Sequence, residues 1–291
     1  MRASWLRMVF DNQEGEALWA ASFNRLRSAE TIDALIGVAT VQQKAFEIEK
    51  KEKGGGITLI MIENVEVFGW EAAIRGMRNP MNSWEKSDSY PAVDCGKCGK
   101  IEREGTCKKE DRNCSGYECF VIGPNDNDLM MRLAKSGTEH RKYMRMIHVQ
   151  LDVTAPTFWL IEADTYKVGT VRNSCSKMHK IHAFEITPKD FSNNAILAAG
   201  AETANVFYTV VAELERLRNL FNETNNIVYW KALLQLLPHG YNVRSTIDLN
   251  YEVLANMYRQ RKNHKLDEWR EFCTWIETLP YSELITGGGS E

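Results

Sequence analysis

The sequence predicts an α+β fold, and three observations carry that prediction. Two short runs, "ITLIMIENVEVF" and "MIHVQLDVTAP", are apolar, rich in β-branched residues and bounded by turn signals. The second half of the chain is dominated by apolar residues recurring at helical spacing. No internal repeat is present, so a few strands forming a small antiparallel sheet combine with a mostly helical C-terminal half.

The elements follow in order. In "TIDALIGVATVQQKAFEIEKKEK", Ile32, Leu35, Ile36, Ala39 and Phe46 recur near helical spacing, and the glycines at 54–56 end the pattern. Residues 1–56 are therefore a helical N-terminal arm: an appended hairpin, a partner-binding arm, or helices packed on the main domain. The main domain occupies 57–286. It opens with a strand and a helix over 68–78, which stops before Asn79-Pro80. Residues 85–124 are polar, Gly-rich and Cys-rich, and form an insertion. A short helix over 125–137 has Asn and Asp at its start, Leu129, Met130 and Leu133 inside, and Gly137 at its end.

A strand over 143–153 comes next, then a helix opening at Pro156 ("PTFWLIEA"). The polar stretch "DTYKVGTVRNSCSKMH" (164–179) follows buried-looking elements, which is where binding residues gather. An amphipathic helix over 202–221 puts Val206, Val210, Leu214, Leu217 and Phe221 on one face. The helix "IVYWKALLQLL" ends at Pro238-His239-Gly240, and helices over 247–261 and 266–279 complete the chain.

Composition bounds the function. The chain has 291 residues, 44% hydrophobic and 26% charged, enough to bury one large core with an appendage. A formal charge of -3 gives no global basic signal for a nucleic-acid polymer. No apolar run approaches the roughly 18 residues needed to span a bilayer. The N-terminus lacks a signal-peptide pattern, so the expected compartment is the cytoplasm. Of seven cysteines, Cys95, Cys98, Cys107, Cys114 and Cys119 crowd together. Cys95-x-x-Cys98 with its glycines is a zinc-knuckle turn, and the other three can complete a structural Zn²⁺ site or stay free thiols.

Two sets of residues suggest chemistry. On a helix through 250–261, Asn250, Leu254, Met257 and Arg261 recur at spacings of four, three and four, with Asn256 six from Asn250. Arg261 offers a planar fork for a carboxylate, phosphate or nucleobase carbonyl. Equally, Arg259, Arg261 and Lys262 are a basic cluster favoured at a helix C-terminus. In the polar stretch, Lys167, Arg172 and Lys177 suit a phosphate. Cys175 and His179, four apart, lack a third orienting group for nucleophilic catalysis.

"LLP", an Asn twelve residues after the proline, a second Asn six later and an Arg five beyond that resemble the C-terminal signature of flavin-dependent thymidylate synthases. "HKLDEWREF" resembles the closing helix of that family. "LMMRLAKSGTEH" resembles its helix ending in Gly-His-Glu, and "VTAPTFWLIEAD" its Ala-Pro helix before the ligand motif. The resemblance covers 60–84 and 125–280. It implies a homotetramer that methylates dUMP, or a related pyrimidine nucleotide, using FAD, NADPH and methylenetetrahydrofolate.

The resemblance also implies residue roles. Arg261 falls on the arginine that sits on the pyrimidine, as the catalytic group. Asn250 and Asn256 fall on two asparagines that contact FAD, and His140 lies in the FAD-contacting segment. Thr165, Tyr166 and Lys167 stand where the family has Arg-His-Arg, giving them cofactor contacts, with Lys167 also reaching the nucleotide. Glu162, Arg172, Ser174, Ser176 and Lys177 are the remaining nucleotide contacts. Met178 and Leu234 stand where the family has phosphate-binding arginines. The alternative is a catalytically inactive nucleotide- or protein-binding module on the same scaffold.

Overall fold

The computed structural model describes residues 59–94 and 117–287. Residues 1–56, with the predicted helical arm, lie outside the described residues, as do Cys95, Cys98, Cys107 and Cys114. The described chain forms two compact units interleaved in sequence. The first comprises 59–61, 153–163 and 174–245; the second comprises 62–152, 164–173 and 246–287.

Strand β1 (Met61–Phe68) passes through Gly69 into helix α1 (Trp70–Arg78). Gly69 has φ +93°, and a Cβ there would sit 2.0 Å from the Met146 carbonyl oxygen. Only glycine makes that step, so the helix expected from residue 68 begins at Trp70. Strands β2 (Tyr90–Asp94) and β3 (Tyr117–Val121) pair antiparallel, Tyr90 opposite Val121 and Asp94 opposite Tyr117. The edges of the predicted insertion are thus a β-ribbon. The backbone of Cys119 lies in β3; its side chain is outside the described part.

Helix α2 (Pro124–Lys135) has proline in its first turn, and the Asp88 carboxylate caps it by accepting from the Asn125 and Asp126 N–H groups at 3.0 and 3.1 Å. A 3₁₀ turn at Arg141–Met146 then precedes β4 (His148–Pro156), so the strand expected over 143–153 starts later. Its register is legible in the pattern: Val149, Leu151, Val153 and Ala155 are buried between less buried His148, Gln150, Asp152 and Thr154. Helix α3 (Thr157–Ala163) begins one residue after the predicted Pro156. The polar stretch 164–179 is not one loop. It holds β5 (Val171–Ser174) and the single turn α4 (Lys177–Lys180).

Helices α5 (Asn194–Ala198), α6 (Ala201–Thr224) and α7 (Ile227–Leu236) follow. The face of α6 differs from the predicted stripe. Val206 is 66% exposed, while Phe207, Tyr208, Val211, Leu214 and Leu217 are buried. Aromatic anchors decide the rotation: Phe207 meets Phe191 edge-on, with ring centroids 5.6 Å apart.

The helix predicted over 247–261 is the larger correction. Strand β6 (Asn242–Asn250) occupies its start, and helix α8 (Tyr251–Arg261) its remainder. The alternation that fixes β6 is buried Val243, Ser245, Ile247 and Leu249 against Arg244, Thr246 and Asp248. Helices α9 (Asp267–Ile276) and α10 (Glu283–Thr286) end the described chain. The strands form a four-stranded sheet of order β1-β4-β6-β5, and the fold is α+β as predicted.

The first unit has its own core. Ile181, Ile186, Phe191, Phe207, Tyr208, Leu214 and Leu233 pack as one cluster. Glu215 is buried beside it and accepts bonds from the Ile186 N–H at 3.0 Å and from Arg218 Nε at 2.6 Å. In the second unit Trp70 meets the rings of Tyr251 and Tyr281 edge-on at 5.2 and 5.3 Å. A buried pair, Arg78 and Asp126, joins α1 to α2 at 2.6 Å.

Candidate functional site: a clamped arginine in the second unit

The second unit brings Tyr166, Asn250 and Arg261 into one connected arrangement. Asn250 is the N-cap of α8: its side-chain oxygen accepts from the Val253 N–H at 3.0 Å. Its amide nitrogen donates to the Val168 carbonyl, also at 3.0 Å. One side chain therefore starts the helix and pins the 166–170 loop. Gly169 lets the loop come so close. Its φ is +73°, and a Cβ would lie 2.9 Å from the Asn250 amide nitrogen. The Thr170 hydroxyl closes the loop by donating to the Tyr166 carbonyl at 2.7 Å.

At the other end of α8, Arg261 Nε donates to the Tyr166 hydroxyl at 2.8 Å. That hydroxyl donates in turn to Gln260 Oε1 at 2.9 Å. The guanidinium carbon lies 4.7 Å from the centre of the Trp269 ring and 5.7 Å from that of Tyr166. These are cation–π distances, and an aromatic face holds a guanidinium without neutralising it. Arg261 Nη1 and His264 Nε2 are 3.0 Å apart, and the Leu266 N–H donates to the other ring nitrogen, Nδ1, at 3.2 Å, so the imidazole is fixed beside the guanidinium. A fixed, half-buried cation of this kind can polarise a carbonyl or stabilise a developing anion.

The other candidates divide between the units. In the second unit, Thr165 and Lys167 are exposed on the loop that carries Tyr166. Arg172 is engaged with Asp164, Nε donating to Oδ1 at 2.8 Å. Asn256 Oδ1 accepts from Arg259 at 2.9 Å and from Gln260 Nε2 at 3.0 Å, so it joins the clamp through Gln260. His140 is exposed, with Nε2 3.7 Å from the Glu139 carboxylate. The remaining candidates belong to the first unit. Ser174 and Ser245 share a hydroxyl–hydroxyl bond of 2.8 Å. Ser176 accepts from the His179 N–H at 3.1 Å, capping α4. Glu162 is half-buried in α3, and the Lys177 side chain lies outside the described part.

Three residues of the clamp escaped sequence reading: Gln260, His264 and Trp269. Trp269 is fully buried on α9, and its contact with Arg261 is tertiary. No local spacing rule pairs residues on successive helices. Tyr166 is 7% exposed, and its hydroxyl accepts from Arg261. Among the described residues no group of three or more His, Cys, Asp or Glu side chains is placed to hold a metal ion. The predicted zinc ligands lie outside that set.

Solved structures give the comparison. The chain is similar in fold to flavin-dependent thymidylate synthase ThyX from Helicobacter pylori, solved with FAD and dUMP. The likeness has a TM-score of 0.51 and 16% identity, over 78% of this chain and 96% of that one. A second structure of the Helicobacter pylori enzyme with FAD and dUMP gives a TM-score of 0.50, again at 16% identity over 78% and 96%. No protein-family model and no curated protein matches the chain. At this identity the likeness shows the fold.

Proposed function

We propose that the chain is a divergent flavin-dependent thymidylate synthase, a homotetramer that methylates dUMP or a closely related pyrimidine nucleotide. The observation that carries this reading is the clamp on Arg261, within a fold shared with enzymes solved with FAD and dUMP. In the proposed reaction Arg261 lies against the pyrimidine and favours its anionic form. Trp269 and the Tyr166 hydroxyl hold the guanidinium in place, one by its ring face and one by a hydrogen bond.

FAD, reduced by NADPH, would supply the hydride, and methylenetetrahydrofolate the carbon. The residues present suit such a cofactor. Thr165 and Lys167 stand exposed on the loop that the Asn250 amide pins. The resemblance adds Tyr166, Asn256 and His140 to the cofactor side. It gives the nucleotide Glu162, Lys167, Arg172, Ser174, Ser176 and Lys177. Zinc at the cysteine cluster is a separate proposal, tested by metal analysis of the purified protein.

The visible absorbance spectrum of the purified protein is the first test. A flavin band, or one recovered on adding FAD, supports the reading; a colourless protein that binds no added FAD sinks it. Mass spectrometry of dUMP and of dCMP incubated with FAD, NADPH and methylenetetrahydrofolate then identifies the nucleotide. Two observations favour a second reading, a nucleotide-binding module without turnover. Arg172 is tied to Asp164, and Leu234 stands at a position of the resemblance where a phosphate calls for a cation. Saturable dUMP binding with no product in the same incubation would select it.

A further inference from the structure

We infer that a cavity of this protein, walled by α2, α8 and α10, is a binding site for a small phosphate-bearing anion. The cavity measures about 190 Å³. Lys135, Arg141, Arg259 and Lys262 line it, against one carboxylate, Glu283. Its floor is apolar and buried: Ala255, Leu284 and Ile285. A rim of cations over an apolar floor suits a phosphoryl group carried on a small organic body.

Three of the cations have an ordinary structural explanation. Lys135 and Arg259 occupy last turns of helices, and Lys262 is the C-cap of α8, where the helix dipole favours positive charge. Arg141 has no such explanation. It comes from the 3₁₀ turn before β4, and its side chain is 15% exposed. Its Nε is buried and makes no hydrogen bond among the described residues. The nearest carboxylate oxygen, Glu252 Oε1, is 3.7 Å away, beyond bonding range. The other oxygen of Glu252 is engaged by Arg145. Two guanidinium groups thus share one carboxylate, and the one lining the cavity is under-matched. Arg141 therefore brings to the cavity a guanidinium charge that its shared carboxylate only partly matches, and an anion entering the cavity would complete the match.

Phosphate is the acceptor of choice. Near neutral pH a phosphomonoester carries close to two charges and presents three acceptor oxygens, and a guanidinium fork matches two of them. The face involved is not that of the clamp. On α8, positions 255, 258, 259 and 262 form one stripe, while 254, 257 and 261 form another about a third of a turn away. The inference does not depend on the proposed reaction.

Inorganic pyrophosphate is the probe, titrated into the full chain by calorimetry at constant ionic strength in a phosphate-free buffer. Lysine acetylation read by mass spectrometry locates it. The expected result is saturable binding that protects Lys135 and Lys262, with Lys142 and Lys265 reacting as before. Lys135→Gln with Lys262→Gln, and separately Arg141→Gln, should each weaken binding by roughly tenfold or more, the scale of a lost charge-assisted contact. Both altered lysines are exposed, so circular dichroism should show an intact fold. The inference is overturned by absent or non-saturable binding, or by uniform protection of all four lysines. It is overturned equally if the lysine variants lose thermal stability but keep full affinity, or if only Lys167→Gln abolishes binding.

Discussion

Replacing Tyr166 by Phe removes one oxygen and leaves the ring in place. That oxygen accepts from Arg261 Nε at 2.8 Å and donates to Gln260 Oε1 at 2.9 Å. At 7% exposure, water does not readily take its place. A hydrogen bond to a charged group contributes about 1.5–3 kcal/mol. Arg261 keeps Trp269 and His264 as neighbours, so it is loosened rather than expelled. In the proposed reaction the lost energy comes out of the stabilisation of the pyrimidine anion, so kcat/KM for dUMP should fall roughly 10- to 150-fold. Steady-state kinetics measure this, with calorimetry of dUMP binding as the turnover-independent readout. A double-mutant cycle makes the result specific: Tyr166→Phe should cost little more in an Arg261→Lys background, because both act through one guanidinium. A variant within twofold of the parent in both readouts, or full additivity in the cycle, would refute the clamp.

Asp126→Ala should destabilise the protein by about 3–5 kcal/mol, because it strands a buried guanidinium, lowering Tm by on the order of 10 °C in a thermal melt. Burial raises the Asp126 pKa, but hydrogen bonds from Ser89, Ser87 and Arg78 outweigh it and hold it below the ordinary value. The parent should therefore hold this stability above pH about 4 and lose it as pH falls through the lower folded pKa, a dependence that Asp126→Ala lacks. Glu185 shows the opposite sign: burial first, then the neighbouring Glu215, push its carboxyl up. Its contribution is fully present below the unfolded pKa of about 4.3 and declines as pH rises through the folded value, so Glu185→Gln should gain Tm over the parent at pH 7 and show no gain at pH 4. Gly169→Ala should cost about 1–2 kcal/mol, from a left-handed backbone and a clash with the Asn250 amide, and should weaken FAD binding measured by fluorescence.

What the sequence disclosed depended on whether a signal was local. The α6 and α9 helices were legible because their apolar residues recur within one segment. The rotation of α6 was not, since Phe191 lies outside the helix and turns Phe207 inward. The boundary at Asn250 was misread because "IDLN" also fits a helical stripe. The deciding alternation begins earlier, at Val243 and Ser245. Arg261 was legible as a forked cation, and Asn250 as an amide within a motif. Their connection through Tyr166 was not, because it joins residues 95 positions apart.

That connection also explains why the clamp needs long side chains. Asn250 and Arg261 stand at opposite ends of α8, eleven residues apart, which on a helix is roughly 16 Å. The loop that touches both ends does so through Val168 and Tyr166, two residues whose backbones can span at most about 7 Å. The remaining gap, roughly 9 Å, has to be bridged by side chains. Asn250 is short and grips the loop backbone directly. The reach must then come from the Tyr166 phenol and the Arg261 guanidinium meeting head to head. Shortening either member should release that end of the loop while leaving the Asn250 end attached. Arg261→Ala should therefore raise hydrogen exchange at Tyr166 and Lys167 and leave the protection of Val253 in α8 unchanged. Equal loosening at both ends would mean that the loop is held by packing and not by these two contacts.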